Sequence, residues 1–158
     1  MNFAEIYADL NIRPPFYSAE SIIFCLSKAT IVKISDEELP IVMCAISDEK
    51  FNCESAALML SERFPNIKLI LLTKGENGSL CYETREKRFI SALAEPTETV
   101  STVGAGDSFG ATFLAHYMKS GDIPASLALA SKVSAFVVSR QGAIPEDIEY
   151  FLKQIGLK

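Results

Sequence analysis

Short apolar runs alternate with helically spaced segments along this chain, the pattern of an α/β domain with a mainly parallel sheet. Phe3 to Asp9 reads as a strand that Arg13-Pro14-Pro15 ends. Ser18 to Lys28 has helical spacing with Ser18 as N-cap and Glu20 in the first turn, and the β-rich run Thr30 to Ile34 completes a β-α-β unit. Helices are expected from Asp36 to Ile46 and from Cys53 to Phe64, then a buried strand from Ile67 to Thr73 and a loop from Thr73 to Gly78. Leu80 to Tyr82 and Lys87 to Ile90 pair as a predicted hairpin through the charged stretch Glu83 to Glu86, and Leu93 to Val100 is an extended connector. The remainder is helical: Gly106 to Lys119 with Gly121 as its stop, Pro124 to Arg140 with proline in its first turn, and Pro145 to Ile155. No internal repeat, low-complexity tract or linker interrupts the series, so residues 1–158 read as one domain.

Composition adds exclusions. With 158 residues, 49% hydrophobic and 22% charged, the chain can bury its own core and is not disordered. Twenty acids against 15 Lys and Arg give a net charge of -5, the wrong sign for a surface that neutralises phosphate backbones or anionic lipid. Neither nucleic acid nor membrane is therefore expected as a partner. No run approaches the roughly 18 apolar residues of a membrane span, and MNFAEIYADLN has acids where a signal peptide carries Lys or Arg, so a cytoplasmic protein is expected. Cys25, Cys44, Cys53 and Cys81 sit in contexts such as IIFCLS and IVMCAI with no CxxC pair, and read as buried reduced thiols. The one histidine, His116, has no second ligand at i+4, which argues against zinc chelation and Ser-His-Asp catalysis.

The chemistry concentrates in Ser101-Thr102-Val103-Gly104-Ala105-Gly106-Asp107-Ser108, where an extended segment turns into a long helix. Two glycines let the backbone come close to a ligand, and helix N-terminal N–H groups with the macrodipole favour an anion, phosphate above all. Asp107, in the first turn, could accept a proton from a hydroxyl attacking that phosphate. A glycine-rich turn can also start a helix without binding anything, and Asp107 can serve the dipole alone. Other nucleotide motifs fit less well: no glycine precedes Lys-Ser or Lys-Thr, and Phe109 stands where a dinucleotide fingerprint needs a small residue. The helical continuation argues against a nicotinamide fold.

Thr102-Val103-Gly104-Ala105-Gly106-Asp107 resembles the second signature, D-T-x-G-A-G-D, of the PfkB or ribokinase-like carbohydrate kinases. Three further segments match in family order. Asp9-Leu10-Asn11-Ile12-Arg13 resembles the D-x-N-x-R strand end of the fructokinase and ketodeoxygluconate kinase branches, Lys33 to Glu38 the segment holding N-x-x-E, and Thr73 to Gly78 the T-x-G-x-x-G nucleotide loop. The resemblance implies the three-layer, Rossmann-like ribokinase fold and ATP-dependent phosphoryl transfer to a sugar hydroxyl, closest to fructokinase. It implies Asp107 as catalytic base, with the amides of Gly104, Ala105 and Gly106 as the anion hole. Thr73, Gly75, Glu76 and Gly78 would border ATP, Asn11 and Arg13 would lie near the phosphoryl path or substrate, and Glu38 would act at the Mg2+ end through ordered water. Apolar side chains around Ala130 to Val138 would flank the adenine. Simpler roles stand beside these: Ser35 and Glu38 also form a capping box, Lys74 to Gly78 a tight connection, and Arg13 a solvated loop charge.

Ser101 replaces the family's first Asp, which puts activation by a monovalent cation in doubt, because a hydroxyl is a weak ligand for a hard ion. Ser35 replaces the Asn of N-x-x-E, a milder change. The matches begin well inside the family domain, so the resemblance implies its C-terminal, nucleotide-binding half, without the early strands, the β-lid and the sugar-gripping acid. Phe3 to Asp9 should then present an open apolar edge, favouring a homo-oligomer or a complementary N-terminal fragment as partner beside ATP and a small sugar. The alternative function is a truncated, non-catalytic remnant that binds nucleotide or self-associates.

Overall fold

The structure, a computed structural model, describes residues 5–157. The packing of the chain resolves two compact units: one takes the chain up to Gly75 and Ser79–Ser91, the other Glu76–Gly78 and the chain from Ala92 onward.

The first unit is a mixed five-stranded sheet in the order β1-β2-β3-β4-β5, with helices α1 (Ala19–Lys28), α2 (Leu39–Ile46) and α3 (Cys53–Arg63) between its first three strands. Strands β1 (Tyr7–Asp9), β2 (Ile31–Ser35) and β3 (Leu69–Thr73) run parallel, as the β-α-β reading expects, with Asp9 opposite Lys33 and Ser35 opposite Thr73. The predicted hairpin is present as β4 (Ser79–Glu83), antiparallel to β3, followed by its neighbour β5 (Arg88–Ala92). In the expected strand Phe3 to Asp9, Phe3 and Ala4 lie outside the described residues, and the ladder begins only at Tyr7.

Alternation sets the core. Val32, Ile34, Ile70, Leu72, Leu80 and Tyr82 share a cluster with Ile22 and Leu26 of α1, Val42 and Met43 of α2, and Leu60 of α3. Ile31, Leu69, Leu71 and Cys81 alternate with those strand positions and are also buried, which is why the strands read as continuous apolar runs. Burial pushes the Cys81 thiol up to about 12. Cys25 and Cys44 correct the expectation of buried thiols: both are exposed, and all four cysteines are free. The helical period explains it, because α1 buries Ile22 and Leu26 and α2 buries Leu39, Val42, Met43 and Ile46, which turns positions 25 and 44 outward.

The second unit is built on α4 (Ala105–Ser120) packed against α5 (Ile123–Val138). Gly121, at φ +68°, ends α4, and the Asp122 side chain caps α5 by accepting from the Ala125 N–H at 2.9 Å. Phe109, Phe113, Ile123, Leu127, Ala130 and Val133 are buried. Helix α6 (Ile148–Gln154) is stacked on α5 through Phe136 and Phe151, ring centroids 3.9 Å apart. It starts three residues after the expected Pro145, while the N-terminus of α4 lies within one residue of its reading.

Candidate functional site

In the first unit the sequence-predicted residues gather at the carboxyl ends of the parallel strands, where open α/β sheets bind ligands. Asn11 and Arg13 follow β1, Ser35 ends β2 with Glu38 in the turn behind it, and Thr73 ends β3. The Asp36 N–H donates to the Thr73 carbonyl at 2.8 Å, joining two of these ends. Ser35 and Glu38 make the reciprocal bonds anticipated for a capping box, Glu38 Oε2 accepting from the Ser35 N–H and hydroxyl at 2.8 and 2.9 Å and the Glu38 N–H donating to Ser35 Oγ at 3.2 Å, but in the turn ahead of α2, whose N-cap is Glu38 itself without a side-chain cap. Glu38 Oε1 reaches further and accepts from the Ile12 N–H at 2.7 Å. One carboxylate thereby ties the turn after β2 to the turn after β1. Arg13 and Asn11 line an open cavity of about 350 Å³ with Phe16, Tyr17 and Cys25.

The second unit holds the glycine-rich turn. Gly104 is the N-cap of α4 in the left-handed region, φ +83°, and a Cβ there would meet the Cα and carbonyl oxygen of Ala143 at 2.9 Å. Gly104, Ala105, Gly106 and Asp107 carry the N–H groups that a helix leaves without intrahelical partners. The Ala105 N–H is spent on the Thr102 carbonyl at 3.2 Å, and the first helical bond runs from Ser108 to Gly104 at 2.9 Å. Ser134 of α5 donates to the Ala105 carbonyl at 3.1 Å, and the Val100 and Ser101 N–H groups donate to Val138 at 2.8 and 3.1 Å, so α5 holds the turn in place. Asp107 is exposed in the first turn. Ser101 Oγ accepts from the Val103 N–H at 3.3 Å.

The loop after β3 divides by role. Gly75 (φ +51°) and Glu76 are exposed in a single turn of 3-10 helix, Gly75–Asn77. Gly78 is buried, and a Cβ there would lie 2.2 Å from the Ala92 carbonyl oxygen, so its place is explained by backbone packing. Among the described residues no group of three or more His, Cys, Asp or Glu is arranged to hold a metal. Nor, among the described residues, is any helix long and apolar enough to cross a membrane.

Sequence reasoning passed over one pair. Lys33, only 4% exposed, directs its Nζ to both carboxylate oxygens of Asp9 at 2.9 and 3.0 Å. The available signal was a lysine inside the apolar run TIVKI, one strand away from an aspartate at a strand end.

Residues 2–149 match the pfkB family carbohydrate kinase. The chain is 31% identical over 147 residues to a fructokinase of Salmonella typhimurium, covering 86% of this chain and 45% of that protein. It thus spans about half the length of the curated relatives it matches. Its fold superposes on a fructokinase from Xylella fastidiosa solved with bound ATP (TM-score 0.76, 22% identity, 96% of this chain and 52% of that one). It superposes equally on a ribokinase from Thermotoga maritima (TM-score 0.75, 23% identity, 96% and 50%). The α/β fold is that of the ribokinases, and the chain belongs to the pfkB family of carbohydrate kinases.

Proposed function

We propose that this chain carries the C-terminal, nucleotide-binding and phosphoryl-transfer half of an ATP-dependent sugar kinase of the fructokinase type. The observation that carries the reading is the left-handed Gly104 N-cap, closed to any side chain by Ala143, with Asp107 in the first turn of α4 behind it. The sugar oxygen attacks the γ-phosphorus of ATP, a new O–P bond forms as the bond to the β-phosphate oxygen breaks, ADP leaves, and Asp107 takes the hydroxyl proton. The Gly104 and Gly106 amides stabilise charge on the transferring group, with Ala105 joining only if its bond to Thr102 is exchanged for the phosphate. Thr73, Gly75 and Glu76 border the nucleotide, Gly78 shapes their loop, and Asn11 and Arg13 serve the phosphate or substrate. The fructokinase relatives favour a ketohexose such as fructose as acceptor.

Mg2+ fits this donor set only at one remove. Glu38 Oε2 already accepts two protein hydrogen bonds and Oε1 one, so Oε1 keeps a lone pair for a water on the ion, which is how Mg2+ is commonly held. The chemistry the ion would supply there is neutralisation of phosphate charge. Ser101, its hydroxyl oxygen engaged by Val103, offers a monovalent cation little, so no potassium requirement is expected. A cytoplasmic setting, where ATP and free thiols coexist, accompanies this reading.

The coverage of about half of each relative favours a second reading, a non-catalytic nucleotide-binding or self-associating remnant. The kinase reading calls for sugar-gripping groups supplied by chain beyond these residues, by a complementary fragment or by a second copy. ADP release from Mg-ATP across a panel of sugars separates the two. Turnover that Asp107→Asn lowers by about 10² or more supports the kinase. ATP binding without turnover supports a nucleotide-binding remnant, and no binding at all sinks the kinase and leaves only self-association.

A further inference from the structure

We infer that Lys33 is a positioning residue: its buried ammonium and the Glu38 carboxylate grip the turn from Asp9 to Arg13 at both ends and so present Asn11 and Arg13. The inference rests on the reading of Asn11 and Arg13 as phosphate or substrate groups.

Strand β1 is three residues long, and its ladder to β2 stops at Asp9. A chain leaving so short an edge strand frays unless it is tied down. Lys33 supplies the first tie, since it stands directly opposite Asp9 and holds both carboxylate oxygens. A buried ion pair is an expensive way to stabilise a sheet, because an apolar pair of the same volume does as well or better. What the ion pair adds is direction: it fixes the carboxylate of the last residue before the turn. The second tie comes three residues later, where the Ile12 N–H meets Glu38 Oε1 at 2.7 Å and the Ile12 side chain is buried. Between the ties Asn11 is held at φ +42°, a conformation that a free chain seldom keeps. The Phe16 N–H then bonds the Arg13 carbonyl at 2.7 Å, and Ser18 caps α1.

The product of these restraints is an exposed arginine. Among the described residues the Arg13 guanidinium makes no ion pair, and no acid lines the cavity it borders. Lys33, the nearest cation in sequence on β2, is already spent on Asp9. The arrangement leaves Arg13 as the donor for an incoming anion while Lys33 only sets its backbone.

Hydrogen exchange of the segment 10–17 tests this on the purified chain, with Mg-ATP affinity measured calorimetrically on the same samples. Lys33→Met alone strands the Asp9 carboxylate and costs the fold, so the deciding variant is Asp9→Asn with Lys33→Met, which removes the charge from both partners. Arg13→Gln is the reference for lost anion binding. The double variant is expected to keep its melting midpoint, to exchange segment 10–17 about tenfold faster with the rest of the chain unchanged, and to bind Mg-ATP as weakly as Arg13→Gln. Wild-type exchange in that segment, or wild-type affinity beside a weakened Arg13→Gln, overturns the inference. A wild-type chain that binds no Mg-ATP overturns the proposed function instead, and the exchange data still decide whether the turn is gripped.

Discussion

At Gly104 a left-handed backbone and a close neighbour act together, since a methyl group there needs both a strained φ and room that Ala143 occupies. Gly104→Ala is therefore expected to cost about 1–3 kcal/mol in a urea unfolding titration, more than a surface substitution does. A variant within a few tenths of a kcal/mol of wild type would show that the turn can relax. The cysteines give a second residue-scale prediction. Cys25 and Cys44 are exposed, whereas Cys81 is buried with its thiol pushed up to about 12, so iodoacetamide at pH 8 should label the first two quickly and Cys81 only after unfolding. Mass spectrometry of the labelled peptides reads the order.

At the scale of elements, capping decides where helices begin. Ser18 accepts from the Ser21 N–H at 3.2 Å, and the Ser18 N–H donates to Ser21 Oγ at 3.0 Å, a reciprocal box that starts α1 just where the chain leaves the Arg13 turn. Ser18→Ala should cost about 0.5–2 kcal/mol and loosen segment 10–17 in hydrogen exchange, while α3, capped separately by Asn52 and Ser55, stays protected. Equal loosening of α1 and α3 would contradict a local effect. Helix α2 owes its start at Leu39 rather than Asp36 to the same kind of competition. Ser35 and Glu38 bond each other across the intervening turn, and the helix begins after it with Pro40 in its first turn.

For the molecule as a whole, two carboxylates tie folding to pH. The Lys68 ammonium, the largest influence, and the Thr30 hydroxyl hold Glu5 below the usual glutamate range, and backbone N–H and Ser18 bonds do the same for Glu20. The folded state favours the ionised form of both, so their contribution is complete above about pH 4.5 and is lost as pH falls through their lowered folded values. The melting midpoint should be flat from pH 7 to 5 and then decline, and a Glu5→Gln, Glu20→Gln variant should decline less. A variant that tracks wild type through that window would assign acid sensitivity to other groups. Strand β1 is an edge of the sheet among the described residues, with Ile6, Phe16 and Phe24 exposed in the same unit, the kind of border that attracts a further strand or a second copy.

Periodicity and capping residues determined which segments are helix and which are strand, because both are local: α1, β2, α3, the β4–β5 hairpin and α4 lie within two residues of where spacing puts them. Local too was the glycine-rich turn, since Gly104 and Asp107 lie within one turn of helix. The tertiary structure alone decided what joins residues far apart in the chain. No spacing rule pairs Lys33 with Asp9 or Ile12 with Glu38, because parallel strands meet only after a helix has carried the chain back. It also decided which thiols see solvent, since an apolar context does not say which side of a helix faces the sheet, and whether a glycine is needed for its φ alone, as at Gly75, or also for the backbone beside it, as at Gly78.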